Sequence, residues 1–248
     1  MRHIDLNCDL GEGAGHDAEL MALITSANLA CGIHAGDGGT MRLAVELALR
    51  HGVAIGAHPS LNDREHFGRR ELPVSPDEVH LLVLTQTRLL RIIARQCDTR
   101  VAHVKPHGAL YNMAARDPAL AAAVAAAVHE ADPGLILFGL AGSELIKAGQ
   151  ARGLRVAREV FADRTYQPDG ALTPRTQPGA LIENANAAVT QVRQLVLEGT
   201  VTATDGTVVP LAADTVCLHG DGSQAVFLAN RLRTELKKAM IGFKAPGA

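Results

Sequence analysis

Polar and apolar residues alternate strictly near the start of the chain: Asp5, Asn7 and Asp9 take every second place, with Leu6, Cys8 and Leu10 between and after them. Successive side chains of a strand point to opposite faces, so the pattern predicts a strand over 4–10 with one polar and one apolar face. Six further β-type runs are expected at 27–31, 53–57, 101–105, 135–140, 155–161 and 215–219. Helical stretches lie between them. "SPDE" at 75–78 reads as a capping box with proline at the first helical position, opening a helix to about residue 95. Asp117-Pro118 starts an alanine-rich helix, and "DPG" at 132–134 turns out of it. Residues 222–240 read as a final amphipathic helix, with a loose tail expected from about 242.

Strand-helix alternation on this scale argues for a parallel sheet. Seven such strands in 248 residues predict an α/β fold, an irregular seven-stranded β/α barrel in a single domain over 1–248; a doubly wound open sheet is the competing arrangement. "VTATDGTVVPL" at 201–211 stands apart as a small hairpin turning at Asp205-Gly206.

Composition narrows the function classes. With a net charge of −2 and 3% aromatic residues there is neither a basic stripe nor a stacking surface, so nucleic acid is not an expected partner. The most apolar stretch, 119–128, is too short to span a bilayer, and Asp5 and Asp9 interrupt any signal-peptide-like run. A cytoplasmic protein without membrane contact is expected. Cys8, Cys31, Cys97 and Cys217 lie too far apart for a zinc knuckle and do not form a disulfide framework.

In β/α barrels the site lies at the C-terminal ends of the strands and in the loops that follow. Six of the seven predicted strand ends here are polar. They carry Asp9 and Glu12; His34 and Asp37 in "CGIHAGDGG"; His58; Lys105 and His107 in "HVKPHG"; Glu159, Asp163 and Arg164 in "REVFADR"; and Cys217, His219 and Asp221 in "CLHGDG". Taken singly, a histidine is more often structural than functional, and an aspartate before glycines often makes a turn or a helix cap. Their convergence on one rim changes the balance, because burying that many polar groups is costly unless each finds a partner. A functional pocket is the better explanation. Loops 58–73 and 162–180 follow strand ends and bring Arg64, Arg69, Arg70, Arg164 and Arg175, which suit carboxylate or phosphate groups. "GEGAG" at 11–15 is not a phosphate-binding P-loop, and no such motif occurs in the chain.

"IDLNCDLGEG", "SANLACGIHAGD", "GVAIGAHPS", "FGRREL", "HVKPHGALYN", "GLAGS", "EVFADRTY" and "CLHGD" together resemble the LamB/YcsF family, from Ile4 to about Asp221. The resemblance implies a β/α barrel of the glycoside hydrolase/deacetylase type. It also implies a hydrolase acting on a cyclic amide: 5-oxo-L-proline, ATP with Mg²⁺ and water give L-glutamate, ADP and phosphate, in an assembly with two further subunits. A stand-alone metal-dependent amidohydrolase or deacetylase is one alternative, and a non-catalytic lactam-binding subunit is the other.

For that reaction Lys105 is the expected positive charge, with Arg69 or Arg164 closing from a loop; Asp9 or Glu12 is the expected base for water and His107 the acid for the ring nitrogen. Asn7, Asp37, Glu159, Asp163 and Asp221 complete the expected substrate contacts. A bound divalent metal is a further expectation, on the deacetylase-like set Asp9, His34, His58 and His219.

Overall fold

The computed structural model describes residues 2–219 and 224–247. Its first half runs β1 (Arg2–Leu10), α1 (Asp17–Met21), β2 (Ser26–Ala30), α2 (Gly38–His51), β3 (Ala54–His58), α3 (Pro76–Gln96), β4 (His103–Val104), α4 (Gly108–Arg116) and α5 (Pro118–Ala131). The second half runs β5 (Ile136–Leu140), α6 (Glu144–Ala151), β6 (Arg155–Phe161), α7 (Ala185–Arg193), β7 (Thr200–Thr202), β8 (Val208–Pro210), β9 (Thr215–His219), α8 (Ala225–Lys238) and β10 (Ile241–Phe243).

Among the described residues, seven parallel strands close into a barrel in the order β1-β2-β3-β4-β5-β6-β9, and β9 returns to β1. Asp5 pairs in register with Thr215, which pairs with Glu159; on the other side Asp9 pairs with Asn28. Each register repeats the alternation of β1 around the barrel. The apolar positions Leu6, Cys8 and Leu10 join the main core with the helices, while Asp5, Asn7 and Asp9 share the opposite, inward face. A smaller cluster of Ile136, Phe138 and Ala157 closes the apolar part of the interior.

Gly56 is required there. A Cβ on it would fall 2.0 Å from His103 Nε2, so glycine makes room for the imidazole of its register partner on β4. The helices start where their signals predict. Ser75 and Glu78 form the capping box of α3, and Asp117 accepts from the backbone of Ala119 and Leu120 before α5. β7 and β8 pair antiparallel as the expected hairpin.

The tail departs from expectation. Ile241–Phe243 forms β10, parallel to the start of β1, with Ile241 buried and Lys244 N donating to the Ile4 carbonyl. Its apolar residues find the open edge at the base of β1 and stack beside it instead of staying in solvent. Among the described residues, no helix is long and apolar enough to cross a membrane.

Candidate active site

A cleft of about 660 Å³ opens at the C-terminal ends of the barrel strands, with Asp9, Glu12, His58, Lys105, His107 and His219 in its walls. β1 delivers Asp9 and, just beyond, Glu12; β3 ends on His58; the turn after β4 gives Lys105 and His107; β9 ends on His219. Arg69 enters from the loop after β3, and Arg164 and Arg175 from the loop after β6.

Lys105 occupies the floor, 2% exposed. Its Nζ lies 2.8 Å from Asp9 Oδ1, 3.0 Å from Glu159 Oε1 and 3.1 Å from Cys217 Sγ. Burial opposes its charge, but the acidic groups around it, Asp9 first, outweigh that and hold the ammonium well above its usual range. Burial likewise opposes the Asp9 carboxylate, but the Lys105 ammonium against it helps hold it well below the usual carboxylate range. Burial pushes the Cys217 thiol well up, which leaves it a poor nucleophile beside His219.

Beneath the floor the barrel is a polar network. His103 Nε2 lies 2.8 Å from Asn28 Oδ1; Asn28 Nδ2 donates to Asn7 Oδ1 and Asp9 Oδ1; Asn7 Nδ2 donates to Glu159 Oε1 and Thr215 Oγ1. Burial pushes His103 down to about 3, so it serves as a neutral donor. Asn7 and Glu159 thus lie behind the cleft wall, fixing Asp9 and Lys105. Asp5, deeper still, accepts hydrogen bonds from Thr25, Ser26 and Thr215, and burial raises it to about 6.

Two histidine groupings face the opening. Glu12, His34, His58 and His107 bring ligand-type atoms within 4.8 Å of one another. His34 Nε2 lies 2.9 Å from Glu12 Oε1, and the His34 ring stacks on His107 at 3.8 Å between centroids. Burial, then the neighbouring rings, drives His107 well below its usual value. The second grouping joins Asp9, Cys217 and His219. There His219 Nδ1 lies 2.9 Å from both carboxylate oxygens of Asp163, and the ring stacks on Phe161. The expected metal set is therefore divided between the two groupings, His34 and His58 in one, Asp9 and His219 in the other.

Asp163 stands behind His219 and orients it. Asp37 stands outside the cleft wall: its exposed side chain accepts from the backbone N–H of Thr40 and caps α2. Arg164 is buried, its guanidinium donating to the carbonyls of Thr173 and Ala180, and burial lowers it to about 10. Those bonds, with the Tyr166 hydroxyl accepting from Phe161 N, tie down the loop after β6. Asp221 lies outside the described residues. Sequence reasoning misses Asn28 and Thr215, although "SANLA" and "TVCLH" carry the same alternation as β1; Tyr111, on the cleft wall from α4, has no comparable signal.

Fold and site together define a closed seven-stranded β/α barrel with a carboxylate, histidine and lysine pocket at its mouth. The chain belongs to the LamB/YcsF family, which it matches over residues 4–247. It is 54% identical to the A subunit of 5-oxoprolinase from Geobacillus kaustophilus, over 99% of this chain and 98% of that one. It is 55% identical to the A subunit of 5-oxoprolinase from Bacillus subtilis, over 97% and 96%. The crystal structure of a lactam utilization protein from Thermus thermophilus aligns with a TM-score of 0.91 at 44% identity, covering 98% of this chain and 99% of that one.

Proposed function

We propose that this chain is one component of an ATP-dependent 5-oxoprolinase, opening the lactam of 5-oxo-L-proline to L-glutamate with hydrolysis of ATP to ADP and phosphate. Two further subunits complete the assembly, and ATP enters with Mg²⁺. The observation that carries this reading is the near full-length likeness to proteins named as the A subunit of 5-oxoprolinase.

The chemistry asks for specific groups, and the cleft offers them. A lactam is a poor electrophile, so transfer of the γ-phosphoryl group to the amide oxygen precedes attack by water; the C–N bond then breaks to leave an acyl phosphate, and a second water cleaves its C–O bond to give glutamate and phosphate. Lys105, kept ionised by Asp9 and Glu159, sets positive charge beneath the reacting carbonyl. Arg69 and Arg175 stand at the mouth for phosphoryl oxygens, while Arg164, bonded to the Thr173 and Ala180 carbonyls, holds the loop that carries Arg175. One carboxylate, Asp9 or Glu12, takes the proton of the attacking water. The proton for the ring nitrogen comes from His219, whose Nδ1 is engaged by Asp163 and whose Nε2 is left for the substrate. His107 is less suited to that part, since its Nε2 is spent on the Phe67 carbonyl.

Lactam labelled with ¹⁸O at the ring carbonyl tests the order of events in the complete assembly. Label appearing in the released phosphate is the expected result; label retained entirely in glutamate contradicts phosphorylation of the amide oxygen.

A further inference from the structure

The backbone fixes the tautomers of two histidines at the cleft. His58 Nδ1 lies 2.7 Å from the Lys105 carbonyl oxygen, and His107 Nε2 lies 2.9 Å from that of Phe67. A carbonyl oxygen only accepts, so both of these nitrogens carry protons. When both rings are neutral, the remaining nitrogens, His58 Nε2 and His107 Nδ1, are bare lone pairs, and they face each other at 2.9 Å. Their other near neighbours are acceptors too. Glu12 Oε1 is 3.4 Å from His107 Nδ1 and 3.9 Å from His58 Nε2, and Asp9 Oδ2 is 3.3 Å from His58 Nε2. Lone pairs that converge in this way repel one another until a cation sits among them. One added proton bridges a single pair of these atoms and leaves the rest opposed.

We propose that Glu12, His58 and His107 bind one divalent transition-metal ion, through Glu12 Oε1, His58 Nε2 and His107 Nδ1, with Asp9 Oδ2 beside the open coordination positions. Bonds of about 2.0–2.1 Å place neighbouring ligand atoms about 2.9 Å apart at right angles and about 3.4 Å apart in a tetrahedron. The nitrogen pair and the His107–Glu12 pair already stand at such spacings. Two imidazoles select zinc, iron, cobalt or nickel over magnesium, so the ion is distinct from the Mg²⁺ that accompanies ATP.

The surroundings are built to hold these ligands. Backbone carbonyls orient both imidazoles, the usual outer support of a metal-binding histidine. Phe67 adopts a left-handed backbone, φ 56°, to bring its carbonyl to His107, and a non-glycine residue there is strained. His34 steadies Glu12 through Nε2 and stacks on His107, while its buried Nδ1 makes no hydrogen bond. His219 stands apart from this set, in the grouping with Asp9 and Cys217. When bound, the ion acidifies a coordinated water; with Glu12 engaged, the part of base falls to Asp9.

The full-length chain, stripped with a chelator and dialysed, is titrated with Co²⁺ and then Zn²⁺, followed by visible absorption and calorimetry. One equivalent of Co²⁺ with ligand-field bands, displaced by one equivalent of Zn²⁺, is expected. His58→Ala and His107→Ala each weaken uptake by about 100-fold or more, while His219→Asn leaves it within about threefold. Uptake indifferent to His58 and His107, uptake lost with His219→Asn, or no stoichiometric uptake by the folded chain overturns the proposal. If an alanine variant does not fold, X-ray absorption of the zinc-loaded natural chain decides: two imidazole nitrogens with oxygen ligands uphold it, one or none defeats it. Metal uptake is read without turnover, so its failure and that of the oxoprolinase reading are separable.

Discussion

Lys105 Nζ stands 2.8 Å from Asp9 Oδ1, joining the turn after β4 to β1 across the barrel, and both groups are almost wholly buried. With Glu159 on its other side, one ammonium serves two carboxylates. Removing one member of such a set strands the others in a medium that solvates them poorly, at a cost of about 3–5 kcal/mol. Lys105→Met is expected to lose stability on that order in denaturant unfolding. It should also lower turnover of the assembly by about 10²–10³-fold or more. Near-normal turnover in a folded variant would remove Lys105 from the site.

Asp163 acts on the reaction only through His219. Replacing it with asparagine removes the charge that stabilises a protonated imidazole and permits the wrong tautomer. Asp163→Asn is expected to cut kcat by about 10²–10⁴-fold with little change in fold. A change in kcat below about threefold in the folded variant speaks against the His219 assignment.

The buried Asp5 makes stability depend on pH in an unusual direction for a carboxylate. Its folded value is raised to about 6 from 3.8, chiefly by burial. The folded state therefore holds the proton more tightly than the unfolded chain. The stabilising contribution is complete below about pH 4, declines as pH rises through about 6 and is absent above it, a span on the order of 3 kcal/mol. Asp5→Asn should remove that slope: the difference between the two proteins' unfolding free energies changes between pH 4 and 6 and is flat above 7. A difference that is constant across the range contradicts the assignment.

Gly68 packs directly against the histidine stack. Its φ is +64°, and a Cβ would lie 3.1 Å from His107 Cδ2 and from His34 Cβ. Gly68→Ala is expected to cost about 1–2 kcal/mol for the backbone alone. The crowding adds to this, and thermal melting reads the sum. Activity should fall as the stack shifts, whereas a melting temperature equal to the parent's would show that the loop yields freely.

The barrel is legible in the sequence because its rule is local. A strand exposes alternate residues to opposite faces, so the polar face of β1 and the polar ends of β3, β4 and β9 can be read directly from "DLNCD", "GAHP", "HVKPH" and "CLH". What periodicity does not encode is depth. Asn7 and Glu159 share their faces with groups in the cleft, yet lie a layer lower, where they fix Lys105 and Asp9 instead of lining the opening. Nor does it encode partnership between distant strand ends. Asp163 belongs to His219, 56 residues on, and the histidines divide between Glu12 and Asp163 according to barrel order, which spacing along the chain does not reveal. Asp37 has the look of site chemistry, but an aspartate ahead of a helix is equally a cap, and here Thr40 claims it. The tail reads as loose because a three-residue strand has too little pattern to register; only the exposed edge of β1 makes it one.

Glutamate formation from 5-oxo-L-proline, measured with the purified chain alone and then with its two candidate partner subunits, with and without Mg-ATP, bears most directly on the function proposed. Glutamate appearing only in the complete mixture with ATP, and lost when Lys105→Met replaces the natural chain, is the predicted result. No glutamate from partners shown to be folded and associated, or full activity with the variant, would contradict it.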